Sequence, residues 1–278
     1  MNPRKTLGFY TLDASTLRDS GRPLLREHAG IPEDDINQHV EAIRAKAFAV
    51  CPYPCIGMFQ FLDLHLMTTD VYPEVLDRIK AGETFLDLGC CLGQELRQLA
   101  LDGAPTANTF GSDLYGGFFD VGYDLFRDRD RLETTFVAAD AFDDNSSLAA
   151  LAGTMDMIYT GAFFHLWSLE EQERAVTRVI SLLRPRPGSL VIGRQSGSAE
   201  AGPFSRAGDT SGRTHFRHNA ETWKELWDRV GEATGTKWTV TADLNDPEYT
   251  LAAPTGAKSA DIERKITSRG LRFVVRRL

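Results

Sequence analysis

The sequence predicts an α/β protein in which a mostly parallel sheet follows an N-terminal helical region. Three observations lead to this fold class. An apolar run at 85–88 enters a glycine-rich turn and then good helix formers, apolar runs at 108–113 and 135–140 each end on an acid, and helical periodicity prevails before residue 82. We therefore expect a ligand site at the carboxyl edge of the sheet.

Composition narrows the class of protein. With 278 residues, 42% hydrophobic and 25% charged, the chain has room for one large α/β domain with appendages. The net charge of -8 and the lack of a long basic block argue against a nucleic-acid partner. Neither a signal-peptide core nor an apolar run of membrane-spanning length is visible, so we expect a cytoplasmic protein that does not bind a membrane. The cysteines predict reduced thiols and no metal site, and they are Cys51, Cys55, Cys90 and Cys91.

The region before the sheet predicts a separate cap. We expect residues 1–82 to form this helical cap and residues 83–278 to form the domain that contains the sheet. Proline fixes backbone angles and disfavours helix just before it, so the proline-rich stretch ends the first cap helix. The predicted elements of the cap are an amphipathic helix over 32–50, a rigid turn over 51–57 and a helix over 72–80 that ends at Gly82.

The glycine-rich turn after the first strand has the features of a nucleotide-cofactor site. Gly89 permits a sharp bend, Gly93 permits close approach, and the following helix offers free amide donors. A dinucleotide fingerprint would need a glycine at the sixth position, where this chain has Gln94, and the turn is instead preceded by Asp87. A glycine-rich bend also occurs in α/β proteins without a ligand, so the turn alone leaves that alternative open.

Acids at the ends of successive strands strengthen the cofactor interpretation. Asp113 lies twenty positions after Gly93, where a ribose-binding carboxylate belongs in this architecture. We expect Asp87, Asp113 and Asp140 to meet at the same carboxyl edge of the sheet. The alternative for each of them is a turn or a helix cap, which is the common role of aspartate after a strand.

The rest of the chain continues the alternation of strands and helices. Ser168 and Glu171 predict a capping box at the start of one helix, and Asn219 predicts the cap of another. Residues 246–265 have no pattern that predicts an element. The other predicted segments are a fourth strand within 155–172, a fifth strand over 189–194, a polar loop over 195–214 and two closing strands over 237–242 and 271–277.

The turn formed by Asp87, Gly89, Cys91 and Gly93 resembles the D-x-G-x-G-x-G turn of class I S-adenosylmethionine-dependent methyltransferases, with Cys91 where a second glycine is usual. The resemblance covers about 82–278. It implies a Rossmann-like sheet of seven strands, mostly parallel with the last antiparallel, and S-adenosylmethionine as the cofactor. It also implies the cofactor-binding residues Asp87, Gly89, Cys91, Gly93, Asp113, Leu114, Phe118, Asp140, Ala141, Thr160 and Gly161.

Within this set the resemblance implies distinct roles. Asp113 and Leu114 would hold the ribose and flank the adenine, and Asp140 and Ala141 would contact the adenine amino group. Phe118 or Phe119 would stack on the adenine, with packing in the core as the alternative.

A narrower resemblance concerns the run 43–62 together with the turn, which is similar to fungal methyltransferases of meroterpenoid and polyketide pathways. That group includes carboxylate O-methyltransferases, so the expected partner is a small acidic or aromatic acceptor, most simply a carboxylate that becomes a methyl ester. Phenol or ring-carbon methylation stays open as an alternative activity, and so does a regulatory methyltransferase-like protein. For the assembly of the protein, a homodimer stays open. A nicotinamide oxidoreductase is disfavoured, since the sixth-position glycine is missing.

Candidates for acceptor chemistry follow the fourth and fifth strands. His165 is the candidate general base, and bonding within its own loop is the alternative. Arg194 and His215 are candidates to hold an acceptor carboxylate, as are the further arginines Arg206, Arg213 and Arg217. A solvated position at the surface is the alternative for most of these arginines. The candidates for an apolar acceptor wall are Phe163, Phe164 and Trp167. The candidates for a lid are Tyr10, Phe48, Tyr53 and Phe61, with packing between cap and core as their alternative.

Overall fold

The computed structural model describes residues 10, 13, 14, 17, 19–205, 213–244 and 268–278. Its α-helices are α1 (Glu33–Val50), α2 (Pro54–Gly57), α3 (Tyr72–Lys80), α4 (Gln94–Leu101), α5 (Gly117–Phe126), α6 (Leu169–Leu182) and α7 (Ala220–Thr234). Its strands are β1 (Phe85–Leu88), β2 (Thr109–Asp113), β3 (Thr135–Ala138), β4 (Met157–Gly161), β5 (Leu190–Ser198), β6 (Gly202–Phe204), β7 (His215–Arg217), β8 (Trp238–Asp243) and β9 (Ser268–Arg277).

Seven of these strands form one sheet in the order β3-β2-β1-β4-β5-β9-β8, and β6 and β7 form a separate antiparallel pair. The pairs β2–β3, β1–β4 and β4–β5 are parallel, whereas β9 is antiparallel to both β5 and β8. The predicted Rossmann-like sheet with an antiparallel last strand is therefore confirmed. Parallel pairing requires long crossover connections, and the helices between the strands provide them.

The described residues divide into two compact units. The first holds those up to residue 82 together with 90–139, and the second holds 83–89 together with the described residues from 140 onward. The division predicted from the sequence, a cap over 1–82 and one domain over 83–278, cuts through the first unit and stays a prediction.

The first unit has one hydrophobic core that the N-terminal helices share with α5. Helix α1 buries Ile36, Val40 and Ile43, as its helical spacing predicts, and packs against α5. A Cβ at Gly117 would lie 3.2 Å from Val50, so the two helices approach closely where α5 begins. Phe48 and Phe61, which the sequence suggested for a lid, are buried in this core and pack there instead.

Polar groups also join the N-terminal region to α4. The buried carboxylate of Glu95, in the first turn of α4, accepts hydrogen bonds from the backbone N–H groups of His65 (2.7 Å) and Leu66 (3.2 Å). The stretch predicted as a rigid turn over 51–57 contains the one-turn helix α2, because Pro54 at its first position has a backbone angle that suits a helix start.

The second unit contains β1, β4, β5, β8 and β9 with α6 and α7. Ser168 and Glu171 form the predicted capping box at α6, and Asn219 caps α7 in the same way with Thr222. Trp223 and Trp227 on α7 are fully buried, as their helical stripe predicts. The capping signals were therefore sufficient to place both helix starts.

Two strand ends differ from the predictions. Strand β5 continues to Ser198, four residues past the predicted end, because its extension pairs with the antiparallel β9, a partner distant in sequence. Strand β3 stops at Ala138, so Asp140 lies in the following loop. The segment 246–265 lies outside the described residues, as does Arg206. Within the described part of the chain, no helix is long and apolar enough to cross a membrane.

Candidate cofactor and acceptor site

In the first unit, the turn before α4 is closed by short backbone hydrogen bonds. The Cys90 N–H donates to the Ser112 carbonyl (2.9 Å), and the Gly93 N–H donates to the Cys90 carbonyl (2.7 Å). Gly93 has φ +73° and Cys91 has φ +51°, both in the left-handed region. That conformation costs a residue with a side chain about 1–2 kcal/mol, so Cys91 is a strained substitute for the glycine that is usual there.

Asp113 ends β2 with its carboxylate held against this turn. One oxygen accepts a hydrogen bond from the Cys91 N–H (2.9 Å) and the other from the Tyr115 N–H (3.2 Å). Burial raises the pKa of the Asp113 carboxyl, although the hydrogen bonds from the backbone oppose that shift. Each oxygen has a second lone pair, so the carboxylate can still accept hydrogen bonds from a ligand such as a ribose.

Side chains of the N-terminal region lie beside this carboxylate. The Tyr53 ring lies 6.2 Å from the Tyr115 ring and 6.1 Å from the Phe118 ring. Burial raises the pKa of the Cys51 thiol, which is hydrogen-bonded with Tyr53 and Tyr115, and burial also raises the pKa of the Tyr53 hydroxyl. The sequence suggested Tyr53 for the acceptor, whereas the structure brings it to the candidate cofactor carboxylate, and sequence reasoning missed Cys51 and Tyr115.

Two neighbours of Asp113 have opposite environments. Leu114 is 53% exposed, and its predicted contact with the adenine stays a prediction. Phe118 is fully buried in the first-unit core, in the first turn of α5. A ring without accessible surface has no face for an incoming base, so Phe118 packs in the core instead of stacking on adenine.

In the second unit, the start of the turn packs against an aromatic ring. Asp87 is buried within β1, and Gly89 has φ +86°. A Cβ at Gly89 would lie 2.9 Å from the Phe163 ring, which is closer than real Cβ contacts come. Glycine is therefore required at this position for its conformation and for its lack of a side chain.

Asp140 occupies the loop after β3. It is exposed, and its Oδ1 accepts a hydrogen bond from the Phe142 N–H (2.9 Å). This local bond is the turn role that the sequence left open for each aspartate. The predicted contacts of Asp140 and Ala141 with adenine stay predictions.

The carboxyl end of β4 contains a second strained residue. Thr160 is fully buried, Gly161 is half-buried, and Ala162 has φ +53° with its N–H donating to the Arg194 carbonyl (2.8 Å). Left-handed backbone in a residue other than glycine concentrates at functional sites, because the surrounding structure must hold it. The β4–α6 connection is therefore a candidate site segment.

His165 is half-buried in the single helical turn that follows. His215 anchors that turn, because its Nδ1 lies 2.7 Å from the Leu166 carbonyl and must donate to it. The Phe216 N–H donates to the Trp167 carbonyl (2.9 Å), which adds a second tie. His215 is only 6% exposed, so it supports the His165 turn and does not present itself to an acceptor.

Phe164 is also a correction to the sequence predictions. Its side chain is fully buried, with the Trp223 ring 5.2 Å away and the Phe273 ring 6.2 Å away. Helix α7 and strand β9 cover it, and both are distant in sequence. Phe164 is a core residue and does not form an acceptor wall.

The remaining acceptor candidates have different surroundings. Tyr10 packs on Phe48 with a 4.7 Å ring separation and lies under the Arg44 guanidinium. Arg217 stacks on Phe204, 3.6 Å from the ring centre. Arg213 is exposed, whereas Arg194 is half-buried in β5, opposite Gly161. The sequence predicts Arg194 at the end of the fifth strand, whereas β5 continues to Ser198, so Arg194 lies within the strand, where its parallel pairing with β4 ends.

Comparisons with known proteins identify the family of this chain. A family model described as Meroterpenoid methyltransferase N-terminal domain matches residues 9–62, and one described as Methyltransferase domain matches residues 85–186. The chain is 43% identical to the O-methyltransferase phiE of a fungal species (strain ATCC 74256), over 92% of this chain and 87% of phiE.

Two further relatives are similar. The O-methyltransferase atr3 of Stereocaulon alpinum is 42% identical over 86% of this chain and 70% of its own length. The Asnovolin E/Chermesin D methyltransferase nvfJ of Aspergillus novofumigatus is 42% identical over 80% of this chain and 79% of its own length. Identity at this level over most of both chains is that of members of one family.

Solved structures support the fold alone. The Haemonchus contortus phosphoethanolamine N-methyltransferase 2, in complex with S-adenosyl-L-methionine, matches with TM-score 0.53 at 15% identity, over 93% of this chain and 60% of its own. The CurJ carbon methyltransferase matches with TM-score 0.51 at 15% identity, over 99% of this chain and 71% of its own.

Among the described residues, no cluster of ligating side chains suits a metal ion.

Proposed function

Because this chain belongs to a family of fungal S-adenosylmethionine-dependent methyltransferases of secondary metabolism, we propose that it O-methylates a carboxylate of a small terpenoid or polyketide acid and forms a methyl ester. The cofactor is S-adenosylmethionine. The observation that carries the cofactor site of this proposal is the Asp113 carboxylate, held by two backbone N–H groups beside the glycine-rich turn. Relatives named O-methyltransferases support transfer to oxygen.

The residues of the turn fit a nucleoside cofactor. Asp113 accepts hydrogen bonds from the ribose hydroxyls, Gly89 and Gly93 keep the backbone free of side chains, and the start of α4 supplies free amide donors. The paired Tyr53 and Tyr115 rings lie close to this carboxylate. The further cofactor residues that we propose are Asp87, Cys91, Leu114, Asp140, Ala141, Thr160 and Gly161.

The bound cofactor supplies a methyl group on a sulfonium, which is transferred by in-line displacement. The contribution of this chain is to orient the acceptor oxygen in a water-poor site, and orientation of this kind lowers barriers by up to about 7–11 kcal/mol. A carboxylate is ionised at neutral pH and needs no base. Arg194, where the parallel pairing of β5 with β4 ends, holds that carboxylate by charge-assisted hydrogen bonds.

A second candidate function is methylation of a phenol or of a ring carbon, with His165 as the general base. The observation in its favour is the anchored turn that presents a half-buried histidine directly after β4. A positioned base contributes about 10²- to 10⁴-fold when a proton must leave the acceptor. The two functions therefore differ in what the loss of His165 does.

Product chemistry distinguishes the two functions directly. The purified chain is incubated with S-adenosylmethionine and matched pairs of small acids and phenols, and the products are analysed by mass spectrometry before and after mild alkaline hydrolysis. We expect a methylated acid whose methyl group is lost on hydrolysis, as in an ester. A methylated phenol that survives hydrolysis would establish the second function.

The pH–rate profile of His165→Ala provides an independent test. If the acceptor is a carboxylate, the variant loses only positioning, and its rate stays flat from about pH 6 to 9. If the acceptor is a phenol, the rate falls at least about a hundredfold and climbs with pH. His39→Ala, at a half-buried histidine of α1, is the control for general loss of a histidine.

The proposal extends to the setting of the reaction. We place the enzyme in the cytoplasm with a small-molecule acceptor, and a homodimer stays a prediction. A chain that binds S-adenosylmethionine but turns over neither acids nor phenols would favour the regulatory alternative.

A further inference from the structure

A fully buried ion pair in the first unit lies behind the glycine-rich turn. Arg97 on α4 and Asp128, just after α5, both have side chains without exposed surface. The Arg97 Nε donates to Asp128 Oδ2 (2.9 Å) and Nη2 donates to Oδ1 (3.2 Å). A buried charge is tolerated only when it is paired and hydrogen-bonded, and this two-point pairing fixes the plane of the guanidinium.

The same guanidinium also holds the backbone of the turn. Its Nη1 donates to the Leu92 carbonyl (2.9 Å) and, more weakly, to the Gly93 carbonyl (3.4 Å). In a trans peptide the C=O and N–H groups point in opposite directions, so a held Gly93 carbonyl also orients the Gln94 N–H at the start of α4. By holding the carbonyls of Leu92 and Gly93, Arg97 fixes the two peptide planes that follow these residues, whose N–H groups point away from the guanidinium.

Two glycines make room for this arrangement. A Cβ at Gly93 would lie 2.4 Å from Arg97 Nη1, and a Cβ at Gly122 on α5 would lie 2.5 Å from the Leu92 carbonyl oxygen. The rings of Tyr123, Phe126 and Phe136 surround the guanidinium at 5.1–5.2 Å. The position of Arg97 is therefore enforced from several sides.

The N-terminal region provides His28, which completes a cluster with Arg97 and Asp128. His28 Nε2 lies 2.9 Å from Asp128 Oδ2, and the Arg131 side chain donates to the His28 carbonyl. Burial opposes ionisation of Asp128, yet the hydrogen bonds from His28 and Arg97 bring the pKa of its carboxyl below its ordinary value. His28, Asp128 and Arg97 form one connected path from the N-terminal region to the turn.

We infer that His28 and Asp128 are positioning residues for the cofactor: they hold Arg97, which in turn holds the glycine-rich turn in its binding conformation. The inference rests on the proposed function, since it assigns residues to the support of that cofactor site. Loss of the His28 hydrogen bond should then weaken S-adenosylmethionine binding, although His28 lies on a segment remote in sequence from the turn.

The test is calorimetric titration of the full chain and its variants with S-adenosylmethionine, below the lowest melting temperature of the set. We expect His28→Ala to lose about three- to tenfold in affinity, the range for one hydrogen bond. His28→Gln, whose amide N–H can take the place of Nε2, should restore affinity to within about twofold of wild type. Rescue of this kind is not expected from a histidine that only fills space.

His39→Ala is the matched control. His39 is likewise half-buried in the first unit, and its Nε2 makes a bond of the same 2.9 Å length, but to the Leu125 carbonyl and not to the cluster. We expect it to lower the melting temperature as His28→Ala does and to keep wild-type affinity. Equal affinity of His28→Ala and wild type, or equal losses in both alanine variants, would overturn the positioning role. A wild-type chain that fails to bind would instead overturn the cofactor site itself.

Discussion

Two loops of the molecule both follow a parallel strand but are stabilised by different interactions. They are the turn between β1 and α4 and the connection between β4 and α6. Each follows a parallel strand, and each contains a non-glycine residue in the left-handed region, Cys91 at φ +51° and Ala162 at φ +53°. Around Cys91 the backbone is bonded by the carboxylate of Asp113. After Ala162 come aromatic rings, with Phe163 and Trp167 separated by 4.7 Å.

The difference shows two ways to support a strained loop. Hydrogen bonds from backbone N–H groups to a carboxylate fix individual peptide groups and leave lone pairs for a ligand, which suits a cofactor of constant structure. Aromatic packing holds the loop through buried apolar contact, which contributes mainly to stability. The polar support should therefore matter most for cofactor affinity, and the aromatic support for stability.

The largest expected effect concerns the aromatic connection. Phe164→Ala should lower the free energy of unfolding by about 3–5 kcal/mol, because it empties a fully buried site beneath Trp223 and Phe273. Denaturant unfolding measures the loss, and Phe142→Ala, at a half-exposed ring, should lose less. Unchanged stability with a raised acceptor KM would return Phe164 to the acceptor wall that the sequence suggested.

The next effect concerns the polar turn. Asp113→Ala should weaken S-adenosylmethionine binding by about 1.5–3 kcal/mol, since it removes a charged hydrogen-bonding partner and releases the N–H groups of Cys91 and Tyr115. Asp140→Ala is the comparison, and calorimetry should find a smaller loss, because Asp140 is exposed and bonded within its own turn. Equal losses would give the two carboxylates equal roles.

A pH dependence of cofactor affinity should follow from the same carboxylate. Burial raises the pKa of Asp113, and ribose hydroxyls donate to its ionised form. Affinity is therefore full above that raised pKa and falls as the pH drops through it, in a window that begins above the usual value of about 3.9. The stability of the chain without cofactor has the opposite pH dependence. Because the pKa is raised in the folded state, folding favours the protonated carboxyl, and this contribution to stability is lost as the pH rises through the raised pKa. Titration of Asp113→Asn across the same pH range should give a flat profile, and a wild-type profile that is equally flat would contradict the assignment.

The smallest expected effects come from Cys91 and Ala162, the strained residues of these two loops. Cys91→Gly and Ala162→Gly should each raise the free energy of unfolding by about 0.5–1 kcal/mol, because relief of left-handed strain exceeds the entropic cost of glycine. Cys91→Gly should also keep cofactor affinity, whereas the larger side chain of Cys91→Leu should lower it. Thermal unfolding and calorimetry measure both, and wild-type affinity in the leucine variant would remove Cys91 from the cofactor cleft.

Prediction from sequence succeeded where the signal was local. The strand, turn and helix at 85–101, the capping box at Ser168 and the cap at Asn219 follow from periodicity and turn chemistry. The antiparallel strand at the end of the sheet follows instead from the family resemblance. The family and the cofactor, which depend on the same short motif, are confirmed by the comparisons.

Side-chain environments were harder to predict. Three residues are of types typical of ligand contacts, yet each is covered by elements far away in the chain: Phe118, Phe164 and His215. The cover of Phe164, for example, comes from α7 and β9. Whether an aromatic ring or a histidine faces a ligand or the core depends on this cover, which no local pattern encodes.

The sequence by itself determined the α/β class, the position of the cofactor turn and the acid at the end of β2, because strand period, glycine spacing and the distance from Gly93 to Asp113 are properties of the chain. Only the tertiary structure decided that Arg97 is buried behind that turn, since its partners Asp128 and His28 come from other segments. A charged residue in a helix is ordinarily solvated. It becomes a support for a binding site only when the fold removes water and brings the opposite charge to it.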